Sequence, residues 1–240
     1  MKQFITILLV VIAFQLNAQK IKFKDLNLKK ALIELGYDIN KNKEIDQLEV
    51  DTITVLKIQK RKISSLDDLS YFKNLKVVNA MTNKITDINV FFGNSKIEEL
   101  YVGENKLGPK LVVKDMISLK GVYAFRNDLK HIDFIGDFKN MKSLYLQGNL
   151  FENLDVQNLP NLESLQLFEC DQLKTIDIFK STKLKQFFLL DMKVVNVAWK
   201  NKDVKTIFVQ KNVADIQPQH DSLKTAPTIK IKEDMIIKSN

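Results

Sequence analysis

The residues able to carry catalysis are few and widely separated along this 240-residue chain. His131 and His220 are its only histidines, and Cys170 is its only cysteine. We expect His131 to lie in a convex-side surface turn and His220 in a C-terminal tail. No Ser/His/Asp or Cys/His constellation can therefore be assembled on one face. The sequence predicts a protein that is not an enzyme.

Oxygen-bearing side chains near the N-terminus have the spacing of a calcium-binding loop. Counted from the first ligand, they fall at alternating positions and again at position 12: Asp38, Asn40, Asn42, Glu44, Asp46 and Glu49. Such spacing wraps oxygens around Ca²⁺. Position 6 needs glycine for its sharp turn, but here it is Lys43, at a cost of about 1 kcal/mol. Two interpretations stay open: a weak structural Ca²⁺ site, or a degenerate loop that keeps its shape without metal. No other cofactor is expected.

A repeat with spacings of 20 to 22 residues occupies most of the chain. Aligned on L-x-x-L-x-L-x-x-N-x-L, eight units begin at Ile53, Leu75, Ile97, Leu119, Met141, Leu162, Leu184 and Val204. The fourth and sixth positions of every unit are apolar. Repeats of this length predict a solenoid of stacked coils, each adding one strand to a parallel sheet.

The ninth position of the repeat predicts a buried polar ladder. It is asparagine in five units: Asn83, Asn105, Asn127, Asn149 and Asn212. A buried asparagine can donate to and accept from the turning backbone of neighbouring coils. Cys170 takes this position in the sixth unit, so we expect a ladder residue rather than a reactive thiol. Arg61 takes it in the first unit and Met192 in the seventh, where we expect an irregular coil.

The second half of each unit shows a different period. Apolar residues recur at every third position, as in the series Ile63, Leu66, Leu69, Phe72, Leu75 and the series Leu129, Ile132, Ile135, Phe138, Met141. A period of three favours 3₁₀-like turns over α-helices on the side opposite the sheet.

With these features, roughly residues 51–216 resemble the internalin-type leucine-rich repeats of bacterial secreted proteins. The resemblance implies a right-handed, curved solenoid whose parallel concave sheet recognises proteins. It also implies a helical N-terminal cap, and an amphipathic segment at 25–35, stopped by Gly36, fits such a cap. The predicted fold is an α/β solenoid: a leucine-rich-repeat horseshoe with a parallel concave sheet, a 3₁₀ or irregular convex side and a helical cap.

The chain divides into four predicted segments. Residues 1–18 read as a signal peptide, since Lys2 precedes an apolar run too short to span a bilayer; a buried helix or uncleaved anchor is the alternative. The cap covers 19–52 and the repeats cover 53–216. The segment 217–240 is a C-terminal cap or tail, in which alternation at 228–232 suggests a strand over the last coil; a flexible tail is equally consistent. We expect a secreted, periplasmic or cell-surface protein without membrane insertion after signal cleavage.

Aromatic residues occupy the positions predicted to project from the concave face. These are the fifth and seventh of each unit, which flank the inward sixth residue. Their aromatic members are Tyr101, Tyr123, Phe125, Tyr145, Phe168, Phe188 and Phe208, with Arg126 as a charged edge. Coils about 4.8 Å apart would stack the three tyrosines in a row. Exposed aromatics often mark interaction sites, although such a row can also serve to stabilise a sheet.

The net charge of +8 comes from lysines spread along the whole chain. No basic block marks a nucleic-acid groove. The predicted function is therefore that of a secreted module that binds a protein partner through its concave aromatic face. Two alternatives remain: a carbohydrate-binding or polysaccharide-binding protein, for which aromatic rings would stack on sugars, and a structural envelope protein without a binding hot spot.

Overall fold

The structure, a computed structural model, describes residues 19–178 and 180–189, together with the backbone of 196–198, 206–209 and 229–231. Two helices open the described chain: α1 (Leu26–Glu34) and α2 (Gln47–Asp51). α1 buries Leu28, Ala31 and Leu32 beneath the first coil. Among the described residues, we find no helix whose length and apolar character would let it cross a membrane.

Asp25 ties α1 to the first coil. One of its carboxylate oxygens caps the helix by accepting from the backbone N–H groups of Asn27 and Leu28. The other accepts from the backbone N–H of Ser64 at 2.7 Å, the Ser64 hydroxyl at 2.8 Å and the Ser65 N–H at 3.1 Å. Burial pushes the pKa of Asp25 upward, but these donors outweigh it and hold the pKa below its ordinary value. The charged form of Asp25 is thus the one that joins helix and repeat.

All eight predicted units contribute one strand to a parallel sheet, the main sheet, which has nine strands in the order β1-β2-β3-β5-β7-β9-β11-β13-β14. The strands of the described chain are β1 Val55–Lys57, β2 Val77–Asn79, β3 Glu99–Tyr101, β4 Lys110–Lys114, β5 Gly121–Tyr123, β6 His131–Ile135, β7 Ser143–Tyr145, β8 Asn153–Asp155, β9 Ser164–Gln166, β10 Thr175–Asp177, β11 Gln186–Leu189, β12 Asn196–Ala198, β13 Thr206–Val209 and β14 Ile229–Ile231. Equivalent repeat positions face each other, as in the pairs Val78↔Leu100 and Leu100↔Val122. The tail strand β14 lies parallel to β13.

The core is built from the fourth and sixth positions of the repeat. Each of the fourteen such residues in the first seven units has an exposed fraction of 0%, from Leu56 and Ile58 to Phe187 and Leu189. Burying a branched aliphatic or aromatic side chain contributes about 1.5–3 kcal/mol. These two columns therefore fix the register of the main sheet, because a one-residue slip would turn every one of them outward.

The asparagine ladder is present in four of the five units predicted to carry it, those that the structure describes. Asn127, only 1% exposed, accepts from the backbone N–H groups of Asn105 and Leu107 at 3.2 and 3.3 Å. Its amide group donates to three backbone carbonyls, those of Val102, Ala124 and Phe125. Asn83, Asn105 and Asn149 repeat this arrangement. Met192 and Asn212, at the same repeat position, lie outside the described residues.

Cys170 occupies its predicted place in the ladder. It is fully buried, and its thiol donates to the carbonyl of Leu146 at 3.4 Å. Burial raises the pKa of Cys170 to about 11. The thiol therefore replaces one of the donor interactions of an asparagine, and its sulfur accepts from the backbone N–H groups of Asn149 and Gly148.

We expect Cys170 to resist a thiol-specific reagent at pH 8 in the native protein and to react fully in denaturant. With its pKa near 11, about one thiol in a thousand would be ionised at that pH. The measurement is the rate of modification with and without urea. Complete modification of the native protein within minutes would contradict a ladder role.

The convex side departs from the predicted 3₁₀ pattern after the second coil. Short 3₁₀ helices occur at Asp67–Tyr71 and Asn89–Phe91. From Lys110 onward, strands take their place and form two small parallel sheets, β4-β6 and β8-β10-β12. His131, expected in a turn, is the first residue of β6. The period-three prediction for this coil was wrong at Ile135, which is 46% exposed while Phe134 is 6% exposed. The alternation of Ile132, Asp133, Phe134 and Ile135 is the period of a strand.

Candidate functional site: the concave face of the main sheet

The concave face consists of the third, fifth and seventh positions of each unit, which flank the buried fourth and sixth. In β2, β3 and β7 the central residue is buried and its two neighbours are half-buried. This places Tyr101, Tyr123 and Tyr145 side by side, because they are paired directly in register. All three tyrosines are half-buried, as are Phe125, Phe168 and Phe188.

The three tyrosine rings form a continuous contact across adjacent coils. The rings of Tyr101 and Tyr123 stack with centroids 4.2 Å apart and an interplanar angle of 3°. Tyr145 meets Tyr123 edge to face, with centroids 4.9 Å apart and an angle of 82°. Pairs in these geometries contribute about 0.5–1.5 kcal/mol beyond area burial. These ring contacts therefore fix the positions of the three tyrosine side chains before a partner binds.

The hydroxyls of Tyr101 and Tyr123 form hydrogen bonds with polar residues at the third position of the repeat. The Tyr101 hydroxyl donates to the Glu99 carboxylate at 2.5 Å. Burial, this hydrogen bond and one with Tyr123 raise the pKa of Tyr101. The pKa of Tyr123 is raised too, chiefly by burial, while hydrogen bonds with Tyr101 and Ser143 oppose the rise. Both side chains therefore stay neutral at physiological pH.

Two glycines make room for the aromatic rings, a feature that the sequence reasoning did not identify. A Cβ atom at Gly103 would lie 2.6 Å from the Phe125 ring, and one at Gly121 would lie 2.8 Å from the Tyr123 ring. Phe125 therefore leans across the coil before it, and Tyr123 folds back along its own strand. The sequence does contain a sign of this arrangement. Gly103 stands in the seventh-position column and Gly121 in the third-position column, where the other units have larger side chains.

Two polar atoms within the aromatic surface were also missed. The Gln147 carbonyl oxygen and the Ser164 hydroxyl are buried and have no hydrogen-bond partner. Gln147 lies between Phe125 and Phe168 in the seventh-position column, and Ser164 pairs with Ser143 beside the tyrosines. An unpaired buried polar group costs about 1–3 kcal/mol. Both atoms could regain that free energy by pairing with a ligand that displaces the surrounding side chains.

Arg126 lies at the edge of the face, but its charge is already paired. Its guanidinium reaches Glu169 at 3.0 Å and Glu104 at 3.6 Å. To reach Glu169 it crosses Gly148, where a Cβ atom would lie 2.7 Å from the Arg126 side chain. Because both of its acidic neighbours pair with it, Arg126 links adjacent coils at the edge of the face and its charge is already neutralised.

Apart from Lys57 in the first coil and Glu99, the charged side chains beside the aromatic residues lie along the two edges of the concave face. On the edge where the strands begin, lysines and glutamates alternate from coil to coil in two rows: Lys76–Glu98–Lys120 and Lys142–Glu163–Lys185. Between this edge and the Arg126 row, the middle coils present rings, amides and hydroxyls, with Glu99 tied to Tyr101. The site therefore suits a partner surface that is largely uncharged.

The C-terminal members of the predicted site are only partly described. Phe188 pairs in register with Gln166 on one side and Phe208 on the other. The side chain of Phe208 lies outside the described residues. The aromatic surface can therefore be followed from Tyr101 to Phe188, with Gln147 and Gln166 interrupting it.

Hydrogen bonds and an ion pair within the cap engage the side-chain oxygens of the oxygen-rich loop. Both oxygens of Glu49 accept backbone N–H groups, those of Ile39 and Asp46, and Asp46 completes a capping box for α2. Glu44 forms an ion pair with Lys29 at 2.7 Å. The carboxylate of Asp38 and the amide oxygens of Asn40 and Asn42 accept backbone N–H groups within the loop. No group of three or more Asp, Glu, His or Cys side chains in the described residues could hold a metal ion.

We propose that the loop keeps its shape without metal, because backbone N–H groups and Lys29 already engage its oxygens. Lys43 adopts the left-handed conformation that the sequence predicted for it, with φ of 63°. We expect the melting temperature to be the same in excess Ca²⁺ and in excess chelator. Differential scanning calorimetry measures this directly. Stabilisation that saturates with Ca²⁺ and is abolished by Glu49→Gln would contradict our interpretation.

Comparison with solved structures supports the same fold. Internalin C2 from Listeria monocytogenes is 17% identical, with a TM-score of 0.50, over 87% of this chain and 92% of that chain. A chain of the LRIM1/APL1C complex is 16% identical, with a TM-score of 0.54, over 76% of this chain and 37% of that chain. No protein-family model matches the sequence, and no curated protein matches it. The chain therefore has an internalin-like leucine-rich-repeat fold, which at these identities is a statement about fold alone.

Proposed function

We propose that this chain is a secreted, non-enzymatic module that binds a protein partner through the concave face of its main sheet. The observation that carries the proposal is the ring row Tyr101–Tyr123–Tyr145 in the middle coils of the concave face. Large, pre-positioned aromatic side chains lose little rotamer entropy on binding and dominate the energetics of many interfaces. The internalin-like fold adds an analogy, which is weaker support than the site itself.

The unpaired Gln147 and Ser164 atoms indicate the polar chemistry that a partner should bring. An N–H or O–H donor from the partner would satisfy the Gln147 oxygen between the two phenylalanines. Apolar or aromatic side chains of the partner would then cover the rings on either side. Secretion rests on the leader-like segment 1–18, which lies outside the described residues.

We expect the combined substitution of Tyr101, Tyr123 and Tyr145 by serine to weaken partner binding by about a hundredfold or more, since each ring is a candidate hot spot. The partner is first captured with the wild-type protein from an envelope extract, then purified, and its Kd is measured for each variant. Circular dichroism checks that the fold survives.

A matched control replaces three exposed apolar residues of the convex side, Tyr71, Phe92 and Ile117, with serine. It removes a similar apolar area from the opposite surface and should leave the Kd within about threefold. Equal affinity of the tyrosine variant and the wild type would refute the proposal. If the captured material proved to be a glycan that the tyrosine variant no longer binds, the carbohydrate alternative would replace it.

A further inference from the structure

Three lysines that are distant in sequence form a row along one edge of the solenoid. Lys62, Lys84 and Lys106 each follow the ninth position of their repeat, and all three are exposed. We call this row the lysine strip. In the sequence these lysines look like part of a scattered, solvated surface; only the stacking of the coils brings them together.

The asparagine ladder sets the spacing of the lysine strip. The Asn83 side-chain oxygen accepts the backbone N–H groups of Arg61 and Ile63, at 3.0 Å each, and these residues flank Lys62. Backbone hydrogen bonds from Lys84 to Ile63 and from Lys106 to Ile85, at 2.8 and 2.9 Å, keep the next two lysines in step. The attachment points of the three side chains are therefore about 4.8 Å apart, one coil each.

No ion pair neutralises the lysine strip within the part of the chain that the structure describes. Glu104, the acidic residue nearest along the sequence, is engaged by the Thr82 hydroxyl at 2.8 Å and by Arg126 at 3.6 Å. The opposite edge differs, since its lysines alternate with glutamates at distances such as 2.6 Å for Lys120 and 2.9 Å for Lys185. Like charges one coil apart repel one another, and an external anion would remove that repulsion.

We propose that the lysine strip binds a linear acidic polysaccharide that carries one carboxylate or sulfate group on each sugar unit. The axial length of one sugar unit is comparable to the coil spacing of about 4.8 Å. Successive anions project from different sides of such a chain, and the long lysine side chains can reach around it. Other polyanions fit this register less well. Charges recur about every 3.4 Å along one DNA strand, and side chains recur about every 3.3 Å along an extended acidic peptide. The strip ends after three coils, because the next residue in the row is Asp128.

The test measures binding of oligogalacturonate, with one carboxylate per sugar unit, by calorimetry at low salt. Lys62→Gln, Lys84→Gln and Lys106→Gln are combined in one variant. The control combines Lys120→Gln, Lys142→Gln and Lys185→Gln, which lowers the net charge equally but on the glutamate-paired edge. We expect the strip variant to lose about tenfold or more in affinity and the control less than about threefold. Both variants lower the net charge by the same amount, so a larger loss in the strip variant measures the local contribution of the three lysines.

Two further probes test the register. Hyaluronan, with one carboxylate per two sugar units, should bind more weakly at equal carboxylate concentration. Single-stranded DNA and vesicles with anionic lipid should bind no more tightly than oligogalacturonate. Equal losses in the two lysine variants, no measurable binding by the wild type, or a preference for hyaluronan, DNA or vesicles would overturn the proposal. The tyrosine variant should keep its affinity for oligogalacturonate, so this test is independent of the proposed protein-binding face.

Discussion

Replacing Asn127 with alanine should lower the free energy of unfolding by about 3 kcal/mol or more, since each buried group left unpaired costs about 1–3 kcal/mol. The substitution removes one acceptor shared by two backbone N–H groups and donors to three carbonyls. These backbone groups belong to two neighbouring coils. In a solenoid, where each coil is stabilised by its neighbours, the loss weakens the interface between them. Urea unfolding followed by circular dichroism measures the change.

Asn140 provides a matched control for this experiment. It is an exposed asparagine with one hydrogen bond, from its side-chain amide to the carbonyl of Ile117. Asn140→Ala should change the stability by no more than about 0.5 kcal/mol. Similar effects of the two substitutions would mean that the ladder does not hold the coils together.

Replacing Asp25 with alanine should cost about 3 kcal/mol, because the change removes a helix cap and leaves donors of the first coil unpaired. Asp25 is 6% exposed and accepts five hydrogen bonds, two from α1 and three from Ser64 and Ser65. Asp87, an exposed aspartate with one bond to the backbone of Asn89, is the control. Asp87→Ala should have a much smaller effect.

The pKa of Asp25 adds a pH dependence with a defined sign. Because its pKa in the folded protein is below the ordinary value, its charge stabilises the protein above the unfolded-state pKa, near pH 4. That contribution disappears as the pH falls through the folded-state pKa. The stability difference between wild type and Asp25→Asn should therefore be constant from pH 5 to 7 and shrink below about pH 4. A difference that grows with acidity would contradict the assignment.

The main sheet could be predicted from the sequence because its determinants are local and periodic. Inward residues at the fourth and sixth positions fix both the strand and its register, and the asparagine at the ninth fixes the turn. The same logic placed Tyr101, Tyr123 and Tyr145 in adjacent coils, and the structure brings their rings into contact. Cys170 also lies in the ladder, because a small buried side chain with a donor suffices there.

Other features depend on contacts that a single repeat does not encode. On the convex side, Ile132 and Ile135 fit a period of three, but the strand pairing of β4 with β6 buries Phe134 instead of Ile135. The pairing of Arg126 with Glu169 depends on the absence of a side chain at Gly148, one coil away from each partner. The oxygen spacing from Asp38 to Glu49 is compatible with a metal loop, but backbone donors and Lys29 take up the oxygens.

Photo-cross-linking from the concave face tests the central claim most directly. A benzophenone amino acid is placed at Phe168 in one protein and at Ile135, 46% exposed on the convex side, in another. After irradiation with the purified partner, the binding account predicts a covalent product from position 168 and little from position 135. Cross-linking from position 135 alone would place the partner on the opposite surface and contradict the account.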